Sequence, residues 1–251
     1  MASSDVQLLS DFFNHFLGYG ALKSSVWLIG PEPGGGNTVD ELQKRLTVWD
    51  ERGRKETEDL QDYHAQLDLP PKDDWSKNIQ LTWGCLIRVI LALYGDEVPD
   101  TKEGRERVRE FQIKELGRSN GKNAVLDLSP LSSPSMDKWN IRELGVDWLA
   151  DRKSYEKQVL PARCELLQTA LRNYRPKFAV FYGLSHQKQW EQIAKVRFTH
   201  SELDGLLWAY DGARLFGLMR HPNERSFHGA GARNQFFANV GKALRERLNV
   251  S

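Results

Sequence analysis

Ser25-Val-Trp-Leu-Ile-Gly-Pro-Glu-Pro-Gly-Gly-Gly36 is an apolar run that ends abruptly in a turn. Val26 to Ile29 read as a buried strand. Pro31 and Pro33 stiffen the exit, while Gly34, Gly35 and Gly36 permit positive φ and a close approach to the backbone. One acid, Glu32, stands in the middle of that turn. An open α/β sheet places its reactive groups at the carboxyl ends of its strands. The stretch therefore predicts an α/β fold and nominates Glu32.

The rest of the chain repeats the pattern. Ala124 to Leu128 and Lys177 to Tyr182 read as a second and third strand. Leu206 to Tyr210 and Arg214 to Met219 read as the last two, a hairpin across Asp211-Gly212. Helical spacing marks Asp5 to Phe16, Leu42 to about Trp49 (capped by Thr38 or Asn37), Ile79 to Tyr94, Tyr155 to Asn173 and Gln235 to Leu248. Strands alternating with helices predict three layers, α/β/α, on a central, mainly parallel sheet. At 251 residues the chain fits a single domain, residues 1–251. Residues 50–78 are polar and charged, and read as a surface insertion leaning over the first turn, with Tyr63 and His64 at its rim or in a pocket. Residues 95–123 mix Arg and Lys with Glu, the pattern of a solvated helix.

Composition narrows the chemistry. Lys and Arg number 35 against 34 Asp and Glu, so net charge announces no nucleic-acid partner, although a local basic patch is compatible with it. Two cysteines, Cys85 and Cys164, are too few for an iron–sulfur cluster or a zinc ribbon, each of which takes about four ligands. They read as buried free thiols. No apolar run approaches the roughly 20 residues that cross a bilayer, and Met1-Ala-Ser-Ser-Asp5 has no basic, apolar leader. A cytoplasmic location without membrane attachment is the expectation.

Three predicted strand ends carry unusual polar residues: Glu32, Asp127 and His221. Familiar alternatives fall away. The Gly30–Gly36 turn lacks the Lys and Ser/Thr of a phosphate-binding loop, and Val39 stands where a dinucleotide fingerprint wants Gly or Ala. A Gly-x-Ser-x-Gly elbow is absent. His200-Ser-Glu202-Leu-Asp204 reads as a solvated loop rather than a metal site, so neither metal nor cofactor is expected.

The order of the three motifs resembles the uracil-DNA glycosylase superfamily. Gly30-Pro-Glu-Pro-Gly34 is similar to its first motif, Gly-x-(Asp/Asn/Ala)-Pro-(Gly/Tyr). Val125-Leu-Asp-Leu-Ser-Pro-Leu131 resembles the middle strand of the single-strand-selective branch, and His221-Pro222-Asn223 its final His-Pro-Ser. The likeness covers the core; residues 37–122 have no counterpart, and the missing cysteines exclude the iron–sulfur branches. It implies a monofunctional DNA glycosylase that hydrolyses an N-glycosidic bond of DNA and leaves an abasic site. Glu32 would stabilise the oxocarbenium-like sugar and orient water, and His221 would donate to the departing base. Gly30, Pro31, Asp127 and Asn223 would hold the base.

Asp127 departs from the Asn of that family. An ionised Asp accepts only, which suits the exocyclic amino group of cytosine and opposes uracil O4. The expected substrate is accordingly a modified cytosine, such as glucosylated hydroxymethylcytosine of phage DNA, in antiviral defence. Repair of uracil or another deaminated base, and a non-catalytic base sensor, are the alternatives. For DNA contact the same likeness points to Gly34, Gly35, Ser129, Arg225, Phe227 and His228, with Phe227 or Arg225 filling the gap left by a flipped base. The base-stacking aromatic is open between Trp49, Tyr63 and Trp83.

Overall fold

The computed structural model describes residues 3–34, 38–67, 77–131 and 139–250. Among these, eight strands form one mixed sheet: β1 (Gly18–Gly20), β2 (Val26–Gly30), β3 (Thr57–Glu58), β4 (Asn123–Asp127), β5 (Phe178–Tyr182), β6 (Thr199–His200), β7 (Leu206–Tyr210) and β8 (Leu215–Met219). Their spatial order is β3-β1-β4-β2-β5-β8-β7-β6. The four central strands, β4, β2, β5 and β8, are parallel, and every residue of each is buried. This is why their sequences are unbroken apolar runs. β7 returns antiparallel to β8 across Asp211-Gly212, as the sequence predicts, with Gly212 at φ +90.

Helices cover both faces. On one face lie α1 (Ser3–His15), α2 (Val39–Glu51), α3 (Leu60–Leu67), α4 (Leu81–Tyr94), α5 (Lys102–Lys114) and α8 (Gly229–Val250). Their apolar sides meet Val26, Leu28, Val125, Val180 and Leu215 of the sheet. On the other lies the C-terminal part of α6 (Arg152–Tyr174) with α7 (Gln187–Ala194), packed on Trp27, Ile29, Leu126 and Phe181. The three layers are thus present. Thr38 caps α2 through the Glu41 N–H, at 3.1 Å.

Two features differ from the sequence expectation. Part of the stretch read as a surface insertion belongs to the body, since Glu58, Leu60 and Tyr63 are buried and supply β3 and α3; residues 68–76 lie outside the described residues. The N-terminal segment also adds β1, antiparallel to β4 and parallel to β3. Two of its three residues are glycines at φ +140 and +101, pressed against the β4 backbone, so only Tyr19 marks it as a strand. Because of β1, β4 is interior, and Asp127 ends a strand with a neighbour on each side.

In chain order the parallel core runs second, first, third, fourth. The chain therefore leaves β2 and β5 in opposite directions across the sheet. Open α/β sheets bind ligands outside the carboxyl ends of strands at such a switch point. Glu32 follows β2, and Gly183 and His186 follow β5.

Candidate active site

The turn after β2 is locked to the end of β4. Leu128 N–H donates to the Gly30 carbonyl at 2.8 Å and Ser129 N–H to the Pro31 carbonyl at 2.9 Å, extending the parallel pairing beyond the strands. Gly30 has a packing reason: a Cβ there would overlap the Tyr182 hydroxyl and ring, which lie on it. Gly30 therefore supports Tyr182 and offers that face to no ligand, contrary to the base contact expected of it. Gly34 faces open space, with nothing within 4 Å of a Cβ; Gly35 lies outside the described residues.

Glu32 is largely buried, and its Oε2 accepts from Arg152 Nη1 at 2.8 Å. Burial pushes the carboxyl above its ordinary range, and the Arg152 guanidinium opposes that rise. Arg152 lies at the start of α6 with its guanidinium 5.0 Å over the Trp139 ring. Arg152 and Trp139 are absent from the sequence reading because 120 positions separate Arg152 from Glu32 and a helix-start Arg carries no signature.

His221 is set by its own turn. Its Nδ1 accepts the backbone N–H of Asn223 at 3.1 Å, and its backbone N–H donates to Glu224 Oε1 at 3.1 Å. With Nδ1 an acceptor, the neutral ring carries its proton on Nε2 and presents a donor. Burial lowers its pKa, the nearby Glu224 carboxylate opposes this, and the neighbouring His186 adds to it. Asn223 thus contributes through its backbone. Its exposed side chain faces Thr82, whose hydroxyl lies 3.5 Å from Oδ1.

Three loops meet at Gly183 (φ +93). A Cβ there would lie 3.6 Å from His186 Nδ1, 3.9 Å from Pro31 Cγ and 4.0 Å from His221 Cδ2. Pro31, His186 and His221 consequently share one edge of the sheet, as the strand-end argument requires. Pro31 also lines a small cleft with Glu32, Ser129, Arg152, Glu156 and His186. His186 is a second histidine at this edge that sequence reasoning missed.

Asp127 is present but in another state than expected. It is 5% exposed, its N–H donates to the Leu17 carbonyl, and its own carbonyl accepts from Arg163 Nη2 at 2.9 Å. Among the described residues its carboxyl has no hydrogen-bond or ion-pair partner. Burial pushes its pKa up to about 8; Arg163 lowers it and Glu32 adds to the rise. At neutral pH Asp127 is mostly a neutral acid that both donates and accepts. Burial thus weighs against the acceptor-only carboxylate expected there, with Tyr19 and Tyr182 close beside it.

Arg163 explains how this acid is held. Its fully buried guanidinium donates to the carbonyls of Leu128 (2.8 Å), Phe13 (2.8 Å), Phe16 (2.7 Å) and Asp127 (2.9 Å). Burial brings its pKa down to about 10, so it remains charged at neutral pH.

The expected DNA contacts divide. Ser129 is buried and its Oγ lies 2.6 Å from Tyr155 Oη, so it meets no phosphate. Phe227 packs, tilted, against Phe236 and Phe237, at centroid distances of 5.4 and 5.6 Å, and Arg233 lies over its ring. A role as a wedge conflicts with that packing. Arg225 and His228 are exposed on the loop before α8. Of the three aromatics, Trp49 and Tyr63 are core residues bonded to the carbonyls of Lys55 and Arg45. Trp83 is half-buried beside His64.

A second open cleft, about 450 Å³, lies elsewhere, lined by Lys195, Trp208 and Tyr210. Tyr210 pairs with Leu215 at the opposite end of β8, so this cleft is remote from the strand-end groups. Among the described residues no group of three or more His, Cys, Asp or Glu is gathered to hold a metal, and no helix is long and apolar enough to cross a membrane. The chain matches no protein-family model and no curated protein.

Proposed function

We propose that the chain is a monofunctional DNA glycosylase of the uracil-DNA glycosylase type, hydrolysing the base–sugar bond of a flipped pyrimidine. One observation carries the reading: His221, fixed as an Nε2–H donor by the Asn223 backbone, stands on the same sheet edge as the Glu32 carboxylate. Bond cleavage leaves positive charge on the sugar and negative charge on the base. A carboxylate and a neutral imidazole donor stabilise these two charges where they develop.

Asp127 is the group that reads the base. Its neutral form pairs with cytosine by donating to N3 and accepting from the amino group, and with uracil by donating to O4 and accepting from N3–H. Only the ionised form favours the amino-bearing base. The primary substrate we propose is a modified cytosine of phage DNA; uracil repair gains support from the neutral acid.

Base release measured by mass spectrometry from matched DNAs decides among these. The DNAs carry cytosine, uracil, hydroxymethylcytosine or its glucosylated form. Release of a modified cytosine is the expected outcome, with preference over uracil growing as pH rises through 8. Release of uracil alone returns the chain to repair. Glu32→Gln and His221→Ala should each lower the rate by about 10²–10⁴-fold; activity retained in both overturns the reading. The Glu32–Arg152 ion pair, which occupies one carboxylate oxygen, favours a second reading as a non-catalytic base sensor. Tight binding without release from any substrate would identify it.

A further inference from the structure

The cleft beside Glu32 is too small for a base. Its free volume for a water-sized sphere is about 20 Å³, against the roughly 10–15 Å³ that one ordered water needs. Its walls carry two carboxylates, Glu32 and Glu156, the Arg152 guanidinium and the His186 imidazole. Such a site, roomy enough for one water and polar on several sides, meets the conditions for an ordered water with two to four partners.

We propose that this cleft seats the hydrolytic water between Glu32 and His186, and that His186 receives its proton. The inference rests on the glycosylase reading and assigns a residue that the sequence motifs leave out. Ser185 Oγ lies 3.1 Å from His186 Nδ1, so Nε2 is the nitrogen left for the water. Arg152 takes one oxygen of Glu32 and leaves the other to orient the water. As the bond between C1′ and the base nitrogen breaks, its electron pair leaves with the base, against His221 Nε2–H. The water oxygen forms the new bond to C1′, and its proton passes to His186, giving an imidazolium between Glu32 and Glu156.

Burial keeps His186 neutral before the reaction: it lowers the pKa, Glu156 raises it, and Arg152 lowers it further. The groups facing it are Glu156 and Arg152 of α6, Glu32 across the cleft, Ser185 beside it and His221 from the turn after β8.

Two measurements test the assignment. A crystal structure fine enough to show ordered water should place one molecule within hydrogen-bond reach of both Glu32 and His186. The same position should be lost or displaced in His186→Leu. Absence in the wild type, or an unmoved water in the variant, overturns the seat. On whichever DNA releases base, His186→Asn should lower kcat by about 10²-fold or more with KM within twofold. It should also change the midpoint or steepness of the acid limb of the pH profile, leaving that limb to His221 alone. An unchanged kcat and profile overturn the proton-accepting role, with thermal unfolding checking that the variant is folded. A wild type that releases no base sinks the glycosylase reading and this role together, while the water seat is judged by the crystal.

Discussion

The backbone N–H of Asn223 points at Nδ1 of His221, 3.1 Å away, and thereby chooses which nitrogen of the ring carries the proton. A main-chain donor is indifferent to the side chain at its own position. Asn223→Ala should therefore keep base release within a few-fold of wild type. Asn223→Pro removes the N–H and should cost about 10-fold or more, the size of one lost orienting hydrogen bond. Equal effects would mean that the Asn side chain, and not the tautomer, matters.

The sign of the His221 shift gives a pH prediction. In the proposed reaction the donor works as neutral imidazole, and burial holds its pKa below the ordinary 6.5. Protonation abolishes the arrangement with Asn223, so activity that depends on His221 should persist as pH falls through 6.5 and fail only below it. A kcat/KM profile already half lost at pH 7 would contradict this.

Gly30 and Tyr182 form a testable pair. Gly30→Ala forces the Tyr182 ring off the β2 backbone and should destabilise by about 1–3 kcal/mol, as overpacking does. Tyr182→Ala removes the obstacle at its own cost. The double variant should be more stable than the sum of the singles by about 1 kcal/mol or more. Denaturant unfolding of the four proteins measures the coupling; strict additivity would show that the ring yields without cost.

Arg163 should be among the least replaceable residues. Arg163→Met leaves four buried carbonyls without their donor, at about 1–3 kcal/mol for each that stays dry. A loss of at least about 3 kcal/mol is expected, read as a shift in the denaturant midpoint. A loss below 1 kcal/mol would show that water or a rearrangement replaces the guanidinium.

Asp127 links stability to pH with an unusual sign. Its folded pKa, about 8, lies above its unfolded value near 4, so between these the folded state holds a proton that the unfolded state does not. Stability from this group is present below pH 4, is lost as pH rises, and levels off above 8. Asp127→Asn lacks the linkage. Its stability relative to wild type should grow by about 1 kcal/mol per pH unit across that window. A constant difference would mean that Asp127 is ionised in the folded protein.

The parallel core was legible because β2, β4, β5 and β8 are buried on both faces and so spell themselves as apolar runs. The hairpin was legible from Asp211-Gly212, whose turn demands that chemistry. β1 was not, because Gly18-Tyr-Gly20 is held by its neighbour's backbone and glycine writes no strand pattern. Arg163 carries no signal in the sequence, since its burial depends on α1 arriving from 150 positions away. Glu32, Asp127 and His221 could be found as polar residues at strand ends. Their protonation could not, as it is set by partners such as Arg152 and the Asn223 N–H, or by burial.

β1 carries a practical consequence. The first two dozen residues look dispensable: a short helix and a three-residue strand at the chain's beginning. Yet Leu17 supplies the carbonyl that holds the Asp127 N–H, Phe13 and Phe16 supply two of the four acceptors of Arg163, and Tyr19 packs on the face where Asp127 lies. A trimmed amino terminus would open the acid to water and let it ionise near its ordinary range. Deleting residues before Val26 is thus a change of electrostatics at the candidate site, made far from any motif.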